Sequence, residues 1–112
     1  MNTKILGTKG EVLAKDFLKK KGYKIIEVSF SNQIGEIDII AKQGETIVFV
    51  EVKTRSSNKF GFPSEAVGFH KQNKIRSVAL SYLKSTKNLE TQARFDVIEV
   101  SENEIRHIEN AF

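Results

Sequence analysis

Asp38, Glu51 and Lys53 are the residues whose types and spacing can do chemistry. They lie in the stretch 35–55, Gly-Glu-Ile-Asp-Ile-Ile-Ala-Lys-Gln-Gly-Glu-Thr-Ile-Val-Phe-Val-Glu-Val-Lys-Thr-Arg. It reads as two strands, 36–41 and 46–54, joined by a tight turn at Gln43-Gly44, where glycine permits the positive φ of short hairpins. Pairing through that turn sets Lys42 against Glu45, Ala41 against Thr46, Asp38 against Phe49 and Glu36 against Glu51. Side chains alternate across a sheet, so Ile37, Ile39, Ala41, Val48, Val50 and Val52 share one face. Glu36, Asp38, Ile40, Ile47, Phe49, Glu51 and Lys53 share the other, apolar near the turn and charged at the open end. Asp38 and Glu51 are then diagonal neighbours, roughly 7–8 Å apart at Cα. Like charges placed this way destabilise a sheet unless something neutralises them. A divalent cation with oxygen ligands does so. Lys53 alone also does so, which gives a purely structural ion cluster.

Two carboxylates at this spacing suit Mg²⁺ or Mn²⁺, hard cations that prefer oxygen and keep several waters. Such a metal activates water and stabilises charge on a phosphodiester. Lys53 reaches the same place from the same strand. It can orient the attacking water, help deprotonate it, or steady the charge of the transition state. The reaction class is metal-assisted phosphodiester hydrolysis.

The remaining elements must position these groups. Residues 8–21 read as a helix with an apolar stripe of Leu13, Ala14, Phe17 and Leu18. Thr8-Lys-Gly-Glu11 has the capping-box pattern, with Thr8 as N-cap. Glu11 also sits at the edge of the stripe, from where it can face the sheet, so cap and site residue are both open readings. Gly22 ends the helix. Residues 23–30 form a strand, and Ser31-Asn32-Gln33 turns the chain into the hairpin. The polar stretch from Ser56 to Pro63 is a loop whose Phe60 and Phe62 either stack on bases or pin the loop to the core. A second helix starts near Ser64, bends around Gly68 and runs on over 70–83, with Lys71, Ile75, Val78, Ala79 and Tyr82 on one stripe. Lys71 either snorkels outward or points at the charged end of the sheet. Lys74, Arg76, Lys84 and Lys87 decorate the outer face. Residues 93–100 and 105–108 are further strands, and Asp96 is read as a salt-bridge partner. His70 and His107 lack a partner at metal-ligand spacing, which argues against zinc. The order αβββαββ predicts an α/β fold, a central mixed sheet flanked by helices.

The chain has 112 residues, read as one domain over 1–112 with a core of its own. It holds no cysteine, so disulfides and thiolate metal sites are excluded. No stretch approaches the ~20 apolar residues of a membrane span. The N-terminal residues do not read as a signal peptide, and a cytoplasmic location is expected. The net charge of +4 is compatible with nucleic acid.

Asp38 with Glu51-Val-Lys53 resembles the Asp…(Asp/Glu)-x-Lys signature of the restriction-endonuclease-like, PD-(D/E)XK nuclease superfamily, with Ile37 where that superfamily often has proline. More closely, the chain resembles the YraN-like family of small bacterial proteins. Gly10-Glu11, Gly22-Tyr23, Gly35-Glu-Ile-Asp38 and Val48-Phe-Val-Glu-Val-Lys-Thr-Arg55 carry the resemblance. Phe60-Gly61, Lys71, Tyr82-Leu83 and Arg94-Phe-Asp96 extend it over nearly the whole length. The resemblance implies a restriction-endonuclease-like core and a Mg²⁺- or Mn²⁺-dependent nuclease. In it Asp38 and Glu51 hold the metal, Lys53 serves catalysis and Glu11 is a further ligand. Similar cores occur in archaeal Holliday-junction resolvases, so branched or recombining DNA is the substrate by analogy. Lys71, Arg55 and Lys74 are the expected nucleic-acid contacts. A homodimer would suit cutting two strands, but no dimer surface is legible. The competing expectations are a non-catalytic nucleic-acid-binding module and a protein adaptor, either keeping the fold with Asp38, Lys53 and Glu51 as an ion network.

Overall fold

The computed structural model describes residues 3–55, 67–102 and 104–112. The elements are α1 (Thr3–Lys20), β1 (Lys24–Ser31), β2 (Glu36–Gln43), β3 (Thr46–Thr54), α2 (Phe69–Ser85), β4 (Ala93–Val100) and β5 (Ile105–Ile108). The sheet has the order β1-β2-β3-β4-β5. Among the described strands, β3 and β4 alone run parallel, and α2 lies in the crossover between them. The predicted mixed sheet flanked by helices is the fold that forms.

α1 is longer than predicted, beginning at Thr3, so Thr8 is interior to the helix and not its N-cap. That removes the capping-box reading of Glu11. Gly10, Ala14 and Leu18 are buried at a spacing of one turn, whereas Leu13 is 40% exposed and leaves the predicted stripe. Gly22, at φ 92°, closes the helix, with Tyr23 N donating to Leu18 O at 3.0 Å. α2 starts after Gly68, and the predicted turn from Ser64 lies outside the described residues, as do Phe60 and Phe62. Its stripe is as predicted, with Ile75, Val78, Ala79 and Tyr82 buried.

Each face of the sheet has its own core. Ala14, Leu18 and Tyr23 pack with Ile39, Ala41, Val48, Val50, Ile98 and Val100 on the α1 side. Ile75, Val78, Ala79 and Tyr82 pack with Ile37, Ile40, Ile47, Phe49 and Val97 on the α2 side. A sheet covered on both faces explains why its central strands are nearly unbroken apolar runs.

The hairpin register differs by two residues from the prediction. Gln43 pairs Thr46, Ala41 pairs Val48 and Ile39 pairs Val50, leaving Gly44 and Glu45 as the turn. Gly44 has φ 58°, as the first position of such a turn requires. A two-residue shift preserves the faces but moves the partners: carried one step further, this register sets Asp38 beside Glu51 and not Phe49. A second difference lies at Asp38 itself. Ile37 packs with Ile40 on the α2 side while Ile39 packs on the α1 side, so strict alternation breaks there. Across the β1–β2 ladder, between the pairs Val28–Ile39 and Phe30–Ile37, sits Ser29 in the left-handed region at φ 55°. The kink in β1 and the break in β2 occupy the same level of the sheet. Among the described residues, no helix is long and apolar enough to cross a membrane.

Candidate active site

The break in β2 puts Asp38 at the end of the sheet that α1 reaches with Glu11. One carboxylate oxygen from each of Glu11, Glu36 and Asp38 lies within 4.8 Å of the others. Asp38 Oδ2 also accepts a hydrogen bond from Val52 N at 2.8 Å, which ties β2 to β3 beyond the last ladder pair. Glu51 stands behind this group and is 6% exposed. Lys71 reaches over from the first turn of α2, its Nζ 2.6 Å from Glu51 Oε1. The acids run from Glu36 in solvent, through half-buried Glu11 and Asp38, to buried Glu51.

The crowding registers in the acids' proton affinities. Burial, then the Asp38 charge, pushes Glu51 up to about 7, and Lys71 only partly offsets this. Glu11 is likewise raised, by burial and then by Asp38 and Glu36. For Lys71, burial works against the charge, but Glu51, Asp38 and Glu36 outweigh it and hold the ammonium more firmly protonated. Four carboxylates at one end of a sheet repel one another, and hard oxygen donors in this arrangement fit a divalent cation.

The other predicted residues fall into place unevenly. Lys53 is half-buried, pairs with Glu99 across the parallel ladder and forms no ion pair with a described residue. Arg55 turns to Glu99, with Nε 3.2 Å from Oε2, and its backbone N donates to Val100 O. That leaves its side chain 26% exposed for any outside partner. Lys74 is exposed one turn after Lys71. Glu36, which the predicted register placed opposite Glu51, belongs to the converging acids. Glu99, fully buried between Arg55 and Arg106, carried no signal beyond being a charge inside an apolar strand.

Gly10 explains how Glu11 gets there. A Cβ at this position would run into the Thr54 side chain on β3. Glycine thus lets α1 lie close to the strand, with the next residue at the acids. Alanine would gain about 1 kcal/mol of helix propensity and lose about 1–3 kcal/mol to overpacking. Gly10→Ala is therefore expected to lower stability by about 1 kcal/mol and to weaken divalent-metal binding by shifting Glu11. Thermal melts and calorimetric metal titration check this. A variant that is more stable and binds metal as well as wild type would show that the close approach does not position Glu11.

Comparison with known proteins bears on fold and family. A solved structure of Hjc from Archaeoglobus fulgidus, a Holliday junction resolvase, superposes with a TM-score of 0.57 at 18% identity, covering 88% of this chain and 72% of that one. The fold is that of the restriction-endonuclease-like nucleases. A UPF0102 protein of Caldanaerobacter subterraneus subsp. tengcongensis is 51% identical over 100% of this chain and 98% of its own. A UPF0102 protein of Thermodesulfovibrio yellowstonii is 52% identical over 96% of this chain and 95% of its own. The model of the uncharacterised protein family UPF0102 matches residues 10–100, a span that runs from the glycine under α1 to the end of β4. By that match and by these relatives, the chain belongs to the UPF0102, or YraN-like, family.

Proposed function

We propose that this protein is a metal-dependent nuclease that hydrolyses DNA phosphodiester bonds, with branched or recombining DNA as its preferred substrate. The observation that carries the reading is the convergence of Glu11, Glu36 and Asp38 oxygens within 4.8 Å, beside Glu51. The likeness of the fold to a protein named as a Holliday junction resolvase supports the branched substrate. Asp38, Glu51 and Glu11 would hold Mg²⁺ or Mn²⁺, which when bound supplies an activated water and charge stabilisation. Lys53, two residues from Glu51 on the same face, orients that water and steadies the negative charge of the transition state. Lys71, Lys74 and the open side of Arg55 meet the phosphate backbone. Asp38 keeps its position through the Val52 amide, so its carboxylate is oriented before any ligand arrives.

The test is a panel of single-stranded, duplex, flapped and four-way-junction DNAs and RNAs, each with Mg²⁺, Mn²⁺ and chelator. Wild type is run beside Asp38→Asn, which controls for a contaminating nuclease. Metal-dependent cleavage absent from the variant supports the reading. Cleavage that ignores both chelator and the substitution sinks it. Salt-sensitive DNA binding without turnover under any metal would point to a non-catalytic binding module, and absence of DNA affinity to an adaptor.

Glu51 adds a pH dependence. Its folded pKa of about 7 lies above its unfolded value. The stability this contributes is present below the ordinary carboxylate range and is lost as pH rises through about 7. A bound cation relieves that loss. The rise in Tm produced by Mn²⁺ should therefore grow between about pH 5.5 and about pH 8. A rise that is flat or shrinking over this range would contradict the assignment of Glu51 as a ligand.

A further inference from the structure

Glu51 is the most buried of the acids at the site, and its counter-charge is Lys71 from α2, not Lys53 from its own strand. The pair is lopsided: the Glu51 side chain is 7% exposed and that of Lys71 54%. Glu51 is also the acid missing from the carboxylates that already converge, Glu11, Glu36 and Asp38. A monovalent cation on a flexible stem thus sits on the oxygen that would complete the donor set.

We propose that Lys71 is a resident counter-cation of Glu51 that a divalent metal must displace, and that the displaced ammonium is released to bind a phosphate of the nucleic acid. This deepens the nuclease reading and rests on its metal site. An ammonium and a divalent ion cannot share one buried carboxylate oxygen without strong repulsion. The lysine stem has four rotatable carbons and more than half of it is in solvent, so the exchange needs a rotamer change and no movement of α2. Metal-free, the ammonium offsets the repulsion between Glu51 and Asp38. Metal-loaded, it is a free positive charge held on the first turn of α2, one turn from Lys74. Metal and phosphate then favour each other's binding, since whatever draws Lys71 away opens Glu51, and whatever occupies Glu51 frees Lys71. Lys71 is in this sense a positioning residue, acting on the metal through Glu51.

Two measurements test it, neither of them an assay of cleavage. Calorimetric titration of Mn²⁺ into wild type and Lys71→Met should show the variant binding about fivefold more tightly or better, the size expected for losing one charge-assisted contact with an exposed end. Side-chain NMR of wild type should show the Lys71 ammonium resonance shifting to that of a solvated lysine at saturating Mg²⁺. Circular dichroism confirms that both proteins are folded. Equal or weaker metal binding in Lys71→Met overturns the proposal. So does a Lys71 resonance that stays put when metal binds, because tighter binding would then come from relieved repulsion alone. A protein that shows both effects but cuts no nucleic acid refutes the nuclease reading and leaves the exchange at Glu51 standing. One that cuts but shows neither does the reverse.

Discussion

Asp38→Asn is expected to abolish cleavage while leaving the protein at least as stable as wild type. Losing a metal ligand at the reacting phosphate removes several kcal/mol of transition-state stabilisation, so the rate should fall about a thousandfold or more. The fold should not suffer. An asparagine oxygen still accepts the hydrogen bond that Val52 N gives Asp38. The substitution also removes one of the charges that raise Glu51 and Glu11, so repulsion at the metal-free site falls. Glu51→Gln should behave similarly, because Lys71 is exposed enough to be solvated once its partner is gone. Initial rates with Mg²⁺ and denaturant midpoints on the same preparations separate the readings. A structural ion network predicts the opposite pattern, with stability lost on either substitution and nothing catalytic to lose. Cleavage within about tenfold of wild type in Asp38→Asn would rule out its role as a ligand.

What the sequence made legible follows from which physical signals are local. The strands Thr46–Thr54, Ala93–Val100 and Ile105–Ile108 stand where they were predicted, since runs of β-branched residues bounded by turn formers mark their own limits. The hairpin register slipped because glycine suits more than one turn position: Gly44 opens the turn where it was expected to close it. That error did little harm, since a shift of two keeps every side chain on its face. The break at Asp38 was not legible. It lies across the ladder from Ser29, whose left-handed conformation no pattern in a serine announces, and it moves Ile37 to the other core. Glu36 was misplaced by the register, which set it opposite Glu51 where Asp38 stands. Helix α1 was cut short because Thr8-Lys-Gly-Glu11 imitates a capping box inside a helix that begins at Thr3. Lys71 had two readings, outward into solvent or toward the charged end of the sheet, and the second is the one found. Its placement over Glu51 depends on how α2 crosses the sheet, and no residue of α2 encodes that by itself.

The buried cluster around Asp96 should dominate stability, and Asp96→Asn is expected to cost about 3–5 kcal/mol. Asp96 is fully buried. It accepts from Arg94 Nε and Nη2, each at 2.9 Å, and from Asn110 N at 3.1 Å, with His107 Nε2 at 2.7 Å. Lys21 Nζ lies 2.8 Å from His107 Nδ1 and can only donate, so Nδ1 accepts and Nε2 carries the proton given to Asp96. A salt bridge was expected of Asp96, but His107 had no expected role, since its partners are far away along the chain. Arg94 goes on to Tyr23 Oη and Gln43, so one carboxylate fastens the end of α1, the hairpin, β4, β5 and the tail. An asparagine there turns an amide N–H₂ toward groups that are already donors and leaves a mostly buried guanidinium with only half-exposed Glu109, 3.7 Å away, as its counter-charge. Burial works against the Asp96 charge, but the bonds from His107, Arg94 and Asn110 outweigh it and lower its pKa. Its contribution is therefore present above the ordinary carboxylate range and is lost as pH falls through the depressed folded value. Urea unfolding at neutral and acid pH should show a large wild-type advantage at pH 7 that narrows toward about pH 3. Arg94→Met with Asp96→Leu should recover part of the loss by removing both charges at once. An Asp96→Asn midpoint within about 1 kcal/mol of wild type would show that the cluster is not what seats α1. If it is, the effect reaches the acids, because the helix held at Tyr23 by this cluster is the one that carries Glu11 to Asp38.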